Sequence, residues 1–249
     1  MQMTLADTGL EIHRRQRGVP DHFQVFGERS SGTNYVDRIL DRNTTLRSTS
    51  DYGWKHGFAQ MTGVARSAVI VCVVREPVGW ALSMHAKPWH CPPALQALDF
   101  PEFLRSPWTT IIDRPRYFGG DRASGWTETP LQQDRHPISG APFANLAELR
   151  RMKAASLLGW RNRGVNLVLA RLDQVQANPE GFVVAVSEAF DLPPVEEFRP
   201  ITRRLGARFL PNVENRPETP KEMSAEDRAW FAAALDPRLE AALGYALPA

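Results

Sequence analysis

A chain of 249 residues, 43% of them hydrophobic, is long enough to bury one α/β core with elaborated loops. Its formal net charge of +2 excludes the bulk positive field that nucleic-acid binding uses, so an anion site has to be local. Only Lys55, Lys87, Lys153 and Lys221 are lysines among thirty basic residues, an arginine excess that suits bidentate phosphate recognition but that codon bias explains equally well. Cys72 lies inside an apolar run and Cys91 precedes two prolines, a usage that gives neither a disulfide framework nor a zinc site and points to a reducing, cytoplasmic setting. The longest apolar run, residues 68–74, is far below the roughly 20 residues that span a bilayer, and the polar N-terminus carries arginines. Neither a membrane span nor a secretory signal is expected.

In chain order, residues 22–26 form a short, mostly apolar strand ending at Gly27, and after Gly32 an amphipathic helix carries Tyr35, Val36, Ile39 and Leu40 at helical spacing. Residues 68–74 are rich in Val and Ile without alternation, which predicts a strand buried on both faces of a parallel sheet. It ends at Arg75, and Pro77 suits the first turn of the helix that follows. From 87 to 142 clustered prolines, three tryptophans and the pair Gly119-Gly120 predict a long, partly irregular insertion, which either covers a site or packs as core. Helical spacing returns over 145–160, with Leu146, Leu149, Met152, Ala155 and Leu158 on one face and Arg150, Arg151 and Lys153 largely off it. A strand over 165–170, a helix over 179–190 and a late helix over 224–234, capped by Ser224, complete the pattern. The alternation predicts one α/β domain over 1–249: three layers, a mainly parallel sheet flanked by helices.

Two segments carry chemistry. Gly27-Glu28-Arg29-Ser30-Ser31-Gly32-Thr33-Asn34 has the glycine spacing of a Walker A loop, but Thr33 and Asn34 stand where Lys and Ser/Thr belong. The loop lacks the groups that meet the β and γ phosphates and magnesium, while backbone N–H groups from Ser31 to Asn34 at a helix N-terminus still form an anion cradle. Ser31-Gly32-Thr33-Asn34-Tyr35 resembles the phosphosulfate loop of sulfotransferases that use 3′-phosphoadenosine-5′-phosphosulfate (PAPS). That family usually has Lys or Arg directly before Ser-Gly. Here Ser30 holds that position and Arg29 comes one residue earlier, so either Arg29 reaches inward or Lys55 supplies the charge. Tyr35 replaces the family's adenine-stacking tryptophan.

The second segment, Val69 to His85, is similar to the family's strand and helix that read the ribose 3′-phosphate: Arg75 at the strand end, Pro77 two residues on, Ser83 eight residues on. The resemblance implies a P-loop NTPase-like fold, PAPS as co-substrate without a metal, and cofactor contacts from Arg29, Ser30, Ser31, Gly32, Thr33, Asn34, Tyr35, Arg75 and Ser83. The late Arg203-Arg204-Leu205-Gly206 is a further candidate for the 3′-phosphate. Between the two segments, Gly53-Trp54-Lys55-His56-Gly57-Phe58 falls where the family has a strand whose end is catalytic. His56 is the candidate base, with Lys55 and Arg29 meeting the leaving group. Neighbours on a strand point to opposite faces, which a strand end or bulge has to relieve. His85, His90 and Glu28 are reserve candidates. The expected partner is a small-molecule, carbohydrate or lipid acceptor, with no nucleic acid. The competing readings are an atypical P-loop nucleotide kinase or phosphotransferase, which needs an acid at a strand end where Arg75 stands, and a nucleotide-binding protein without turnover.

Overall fold

The computed structural model describes residues 4–194, 197–203 and 205–247. In chain order the elements are α1 (Leu5–Thr8), β1 (Leu10–His13), β2 (His22–Gly27), α2 (Thr33–Asn43), β3 (Arg47–Ser48), β4 (Ala68–Val74), α3 (Pro77–Ala86), α4 (Pro93–Gln96), α5 (Phe100–Arg105), α6 (Leu146–Leu158), β5 (Asn166–Arg171), α7 (Leu172–Ala177), α8 (Pro179–Ala189), α9 (Ala225–Ala234) and α10 (Pro237–Leu243). The chain divides into two compact units, one of residues 1–75, 153–207 and 238–246, the other of residues 76–152, 208–237 and 247–249. Among the described residues no helix is long and apolar enough to cross a membrane.

The first unit is a mixed α/β fold around a five-stranded sheet in the order β1-β5-β4-β2-β3. β3, β2, β4 and β5 run parallel, and only the edge strand β1 is antiparallel, on β5. All seven residues of β4 are buried, as a run of Val and Ile without polar alternation requires. Its side chains alternate between two cores. Val69, Val71 and Val73 join Val36, Ile39 and Leu40 of α2 and Phe182, Val183 and Val186 of α8. Ile70, Cys72 and Val74 join Ala154, Leu157 and Leu158 of α6 and Leu243 at the end of α10. Helices therefore cover both faces of the sheet. Each fully buried Val or Ile contributes about 1.5–3 kcal/mol of apolar transfer free energy, which makes β4 the unit's structural axis.

The winding direction reverses at β2. The chain leaves β2 through α2 to β3 on one side, and the next strand, β4, lies on the other side of β2. Open α/β sheets bind ligands at such a reversal, outside the carboxyl ends of the strands. Here those ends are Gly27 and Val74, with Gly27 in register with Val73.

The second unit contains the sequence-predicted insertion, and it has a core of its own. Trp108 and Phe143 are buried and pair as an isolated bridge, and the Trp108 indole N–H donates to Asp134 Oδ2 at 2.9 Å. Asp227 at the start of α9 accepts from Arg105 of α5 at 2.5 Å. The N-cap assigned to Ser224 is present, its hydroxyl accepting from the Asp227 N–H at 3.1 Å. Trp126 is half exposed, whereas Trp89 packs edge-on to Phe209 under the Arg114 guanidinium. Of the two readings of the insertion, core packing describes Trp108.

Candidate functional site

The loop after β2 folds as its glycines dictate. A Cβ on Gly27 would lie 2.6 Å from the Val73 carbonyl oxygen, a backbone atom that cannot yield without moving β4. Gly32 has φ +86° and is the N-cap of α2, and a side chain there would also strike Leu172 at the start of α7. Gly27→Ala is therefore expected to lower stability by about 1–3 kcal/mol, read as a fall in the denaturant midpoint at unchanged slope.

As N-cap, Gly32 brings no side chain to the first-turn N–H groups of the eleven-residue helix α2, which leaves its amino end as a positive pole. One part of the expected cradle is corrected. The Ser31 N–H turns back to the Glu28 carbonyl at 3.2 Å, and the buried Ser31 hydroxyl donates to the same oxygen at 2.7 Å. Ser31 shapes the turn from inside, so the cradle reduces to Gly32, Thr33 and Asn34. Thr33 is buried beside Gly27, Asn34 is exposed, and Tyr35 is partly buried against the α2 side of the core, which raises its phenol pKa.

The strand expected around Lys55 and His56 is a correction of more consequence. Residues 51–57 form consecutive turns, with Gly53 at φ +100°, and the nearest strand is the two-residue β3. Gln24, buried in the middle of β2, donates to the Gly53 carbonyl at 2.7 Å and accepts from the Tyr52 N–H at 2.8 Å, so a strand side chain holds this turn. In a turn the alternation of a strand does not apply, and Lys55 and His56 both reach the loop. The Gly27 N–H donates to the Lys55 carbonyl at 3.0 Å, and the Lys55 ammonium bonds the Asn34 side chain. His56 Nδ1 lies 2.8 Å from the Gly27 carbonyl oxygen. A carbonyl only accepts, so Nδ1 carries the proton and Nε2 is the lone-pair nitrogen.

Arg75, one residue past β4, donates from Nη1 to the Ser30 carbonyl at 3.2 Å, so the two sequence segments meet at the loop. Ser30 itself has φ +63°, a left-handed backbone in a residue other than glycine. Arg29 is 5% exposed and stacks over Trp54 at 5.4 Å, while Lys55 is the cation at Asn34. Gly206 lies beside Asn34, where a Cβ would stand 3.6 Å from its amide nitrogen, so the late basic loop runs past the head of α2. Arg203 in that loop is exposed, and Arg204 lies outside the described residues. Ser83 is half-buried on α3 in the second unit, where its carbonyl accepts from the Lys87 N–H at 3.1 Å.

Sequence reasoning missed Lys153 as a site residue. It is 5% exposed, donates to the His56 carbonyl at 2.6 Å and lies 3.8 Å from the centre of the Phe58 ring. The other reserve histidines have different surroundings. His85 is fully buried between Thr219 and the Leu98 carbonyl, and His90 bonds Asp113 at 2.6 Å, both within the second unit.

Burial, then the Lys55 cation, and to a lesser degree Arg29 and Lys153, hold the His56 pKa well below the usual imidazole value, against the opposing Gly27 hydrogen bond. The imidazole is neutral at pH 7 and available as a proton acceptor. Burial also lowers the pKa of Lys55, which Asp37 partly offsets. A histidine held neutral in the folded state takes up a proton only on unfolding, so its contribution to stability is complete above about pH 6.5 and declines as pH falls below it. Burial lowers the pKa of His85 in the same direction. Wild type should therefore lose stability on the acid side of pH 6.5 more steeply than a His56→Gln variant, as urea midpoints across that range would record.

Among the described residues no group of three or more His, Cys, Asp or Glu side chains could hold a metal ion. What the arrangement offers is an anion cradle at a helix N-terminus, with Lys55 at Asn34, Arg75 at Ser30 and a neutral imidazole on the Gly27 carbonyl of the same loop. Compared with protein-family models, with curated proteins and with solved structures, the chain matches none.

Proposed function

We propose that this chain is a PAPS-dependent sulfotransferase on a P-loop NTPase-like scaffold, moving a sulfuryl group in line to a hydroxyl or amine of its acceptor. The observation that carries the reading is the convergence on one loop, at the winding reversal of the sheet, of Arg75 on Ser30, His56 on Gly27 and Lys55 on Asn34. In this assignment Gly32, Thr33, Asn34 and Lys55 receive the phosphosulfate, and Arg75 reads the 3′-phosphate. The acceptor loses its proton to His56 Nε2 as its oxygen or nitrogen bonds to sulfur, and the sulfur–oxygen bond to the departing phosphate breaks. The negative charge that grows on that phosphate oxygen is met by Lys55 and Arg29. A phosphotransferase is the weaker reading, because β4 is followed by Arg75 instead of a magnesium-binding acid and the loop has Thr33 in place of the phosphate-binding lysine.

The test is transfer of label from sulfur-labelled PAPS into small molecules, carbohydrates and lipids extracted from cells. A labelled product that disappears in His56→Ala supports the reading. Binding of the nucleotide without any transfer would favour a binding protein, and magnesium-dependent transfer from ATP would favour a kinase.

A further inference from the structure

The Lys153 ammonium is almost wholly buried, an unusual position for a lysine, because desolvating the charge costs free energy that only good partners offset. Two of its partners belong to a single turn. The ammonium donates to the His56 carbonyl at 2.6 Å and rests on the face of Phe58 at 3.8 Å, a cation–π contact that a desolvated site strengthens. Residues 56 and 58 are thus tied from α6, residues 52 and 53 are tied from β2 by Gln24, and Lys55 and His56 between them close on the loop. A turn with glycines at 53 and 57 has no local reason to hold one conformation.

We propose that Lys153 is a positioning residue for His56: from α6 it grips the turn that carries the imidazole and fixes the ring on the Gly27 carbonyl, with its tautomer set. The charge has a second effect. The groups that face His56 are the cations Lys55, Arg29 and Lys153, the Gly27 carbonyl and the edge of Trp54. Lys153 belongs to the set that keeps the ring unprotonated until an anion offsets it. The inference rests on the proposed function only in taking His56 as the base, because the held turn and its charges need no substrate.

The experiment follows the His56 imidazole by NMR in the full chain labelled at histidine, assigned by the signal that His56→Gln removes, across a pH titration without substrate. In Lys153→Met the His56 midpoint should rise, since a nearby like charge is gone, and Lys153→Arg should bring it back. Lys153→Gln keeps a donor for the carbonyl and lacks the charge. It should show the raised midpoint in a fold that still melts cooperatively, and it decides the matter if the Met variant fails to fold. A midpoint in Gln or Met equal to wild type would overturn the proposal, as would a folded Arg variant that behaves like Met. If no PAPS turnover is found but the midpoints move as stated, the positioning role stands and the functional reading fails. If turnover is found and the midpoints are fixed, the reverse holds.

Discussion

Removal of the His56 imidazole, in His56→Ala, is expected to cut turnover about 10²–10⁴-fold and to change affinity for 3′,5′-diphosphoadenosine only a few-fold. The size follows from the loss of a proton acceptor whose tautomer is already set by the Gly27 carbonyl. The contrast with binding follows from the rest of the cradle, since the N–H groups of Gly32, Thr33 and Asn34 and the Lys55 ammonium stay in place. His56→Gln sharpens the test, because a glutamine amide can still donate to Gly27 and keep the loop in shape while lacking a basic nitrogen. Both variants should be equally slow. If Gln retains turnover within a few-fold of wild type, His56 shapes the loop and another group is the base.

Arg75→Ala should weaken nucleotide binding by about 1.5–3 kcal/mol, the range for a lost charge-assisted hydrogen bond. That corresponds to roughly 10- to 150-fold in Kd. Arg75 donates to the Ser30 carbonyl from a position just past β4, and the guanidinium has five donors, so it can hold the loop and meet a phosphate at once. Lysine has no such fork, so Arg75→Lys should recover little. The loss should fall on nucleotides that carry a 3′-phosphate. Calorimetric titration of 3′,5′-diphosphoadenosine against ADP on both proteins gives the answer, and an equal loss for the two ligands would mean that Arg75 serves the loop alone.

Much of the fold was legible in the sequence, because its strongest signals are local. The uniform apolar run 68–74 became β4 with the expected limits, and Pro77 opens α3 as its fixed φ favours, with Glu76 as N-cap. The helix after Gly32 and the cap at Ser224 were readable for the same reason. What was hidden depends on residues far apart in the chain. β1 is four residues long and places Glu11 in the sheet, tolerable because Arg161, 150 residues later, bonds it at 2.7 and 2.9 Å and the Leu5 N–H and His13 ring bond it as well. In α6 the expected apolar face is met in part: Leu146, Leu149 and Leu158 are buried as expected, and the departures lie between them. Ala155 is exposed, Ala154 and Leu157 are buried, and Arg150 and Lys153 are 0% and 5% exposed. Periodicity counts a lysine as polar and therefore outward, but a carbonyl and an aromatic face make burial possible for this one.

The candidate site divides along the same line. The glycines of the loop and Arg75 could be placed from spacing, since their roles follow from local backbone demands. The turn at 51–57 could not, because it is held by Gln24 and Lys153 through side-chain contacts that no local pattern encodes. The second unit is partly hidden too, since Asp227 and Arg105 pair across 122 residues.

The central claim is that this loop and Arg75 together hold an adenosine nucleotide phosphorylated at both its 3′ and 5′ positions, without help from magnesium. Isothermal titration with 3′,5′-diphosphoadenosine and with ATP, each with and without Mg²⁺, tests it most directly. Tighter binding of the diphosphoadenosine, unchanged by the metal, is the predicted result, and ATP binding that is tighter and appears only with Mg²⁺ would contradict it.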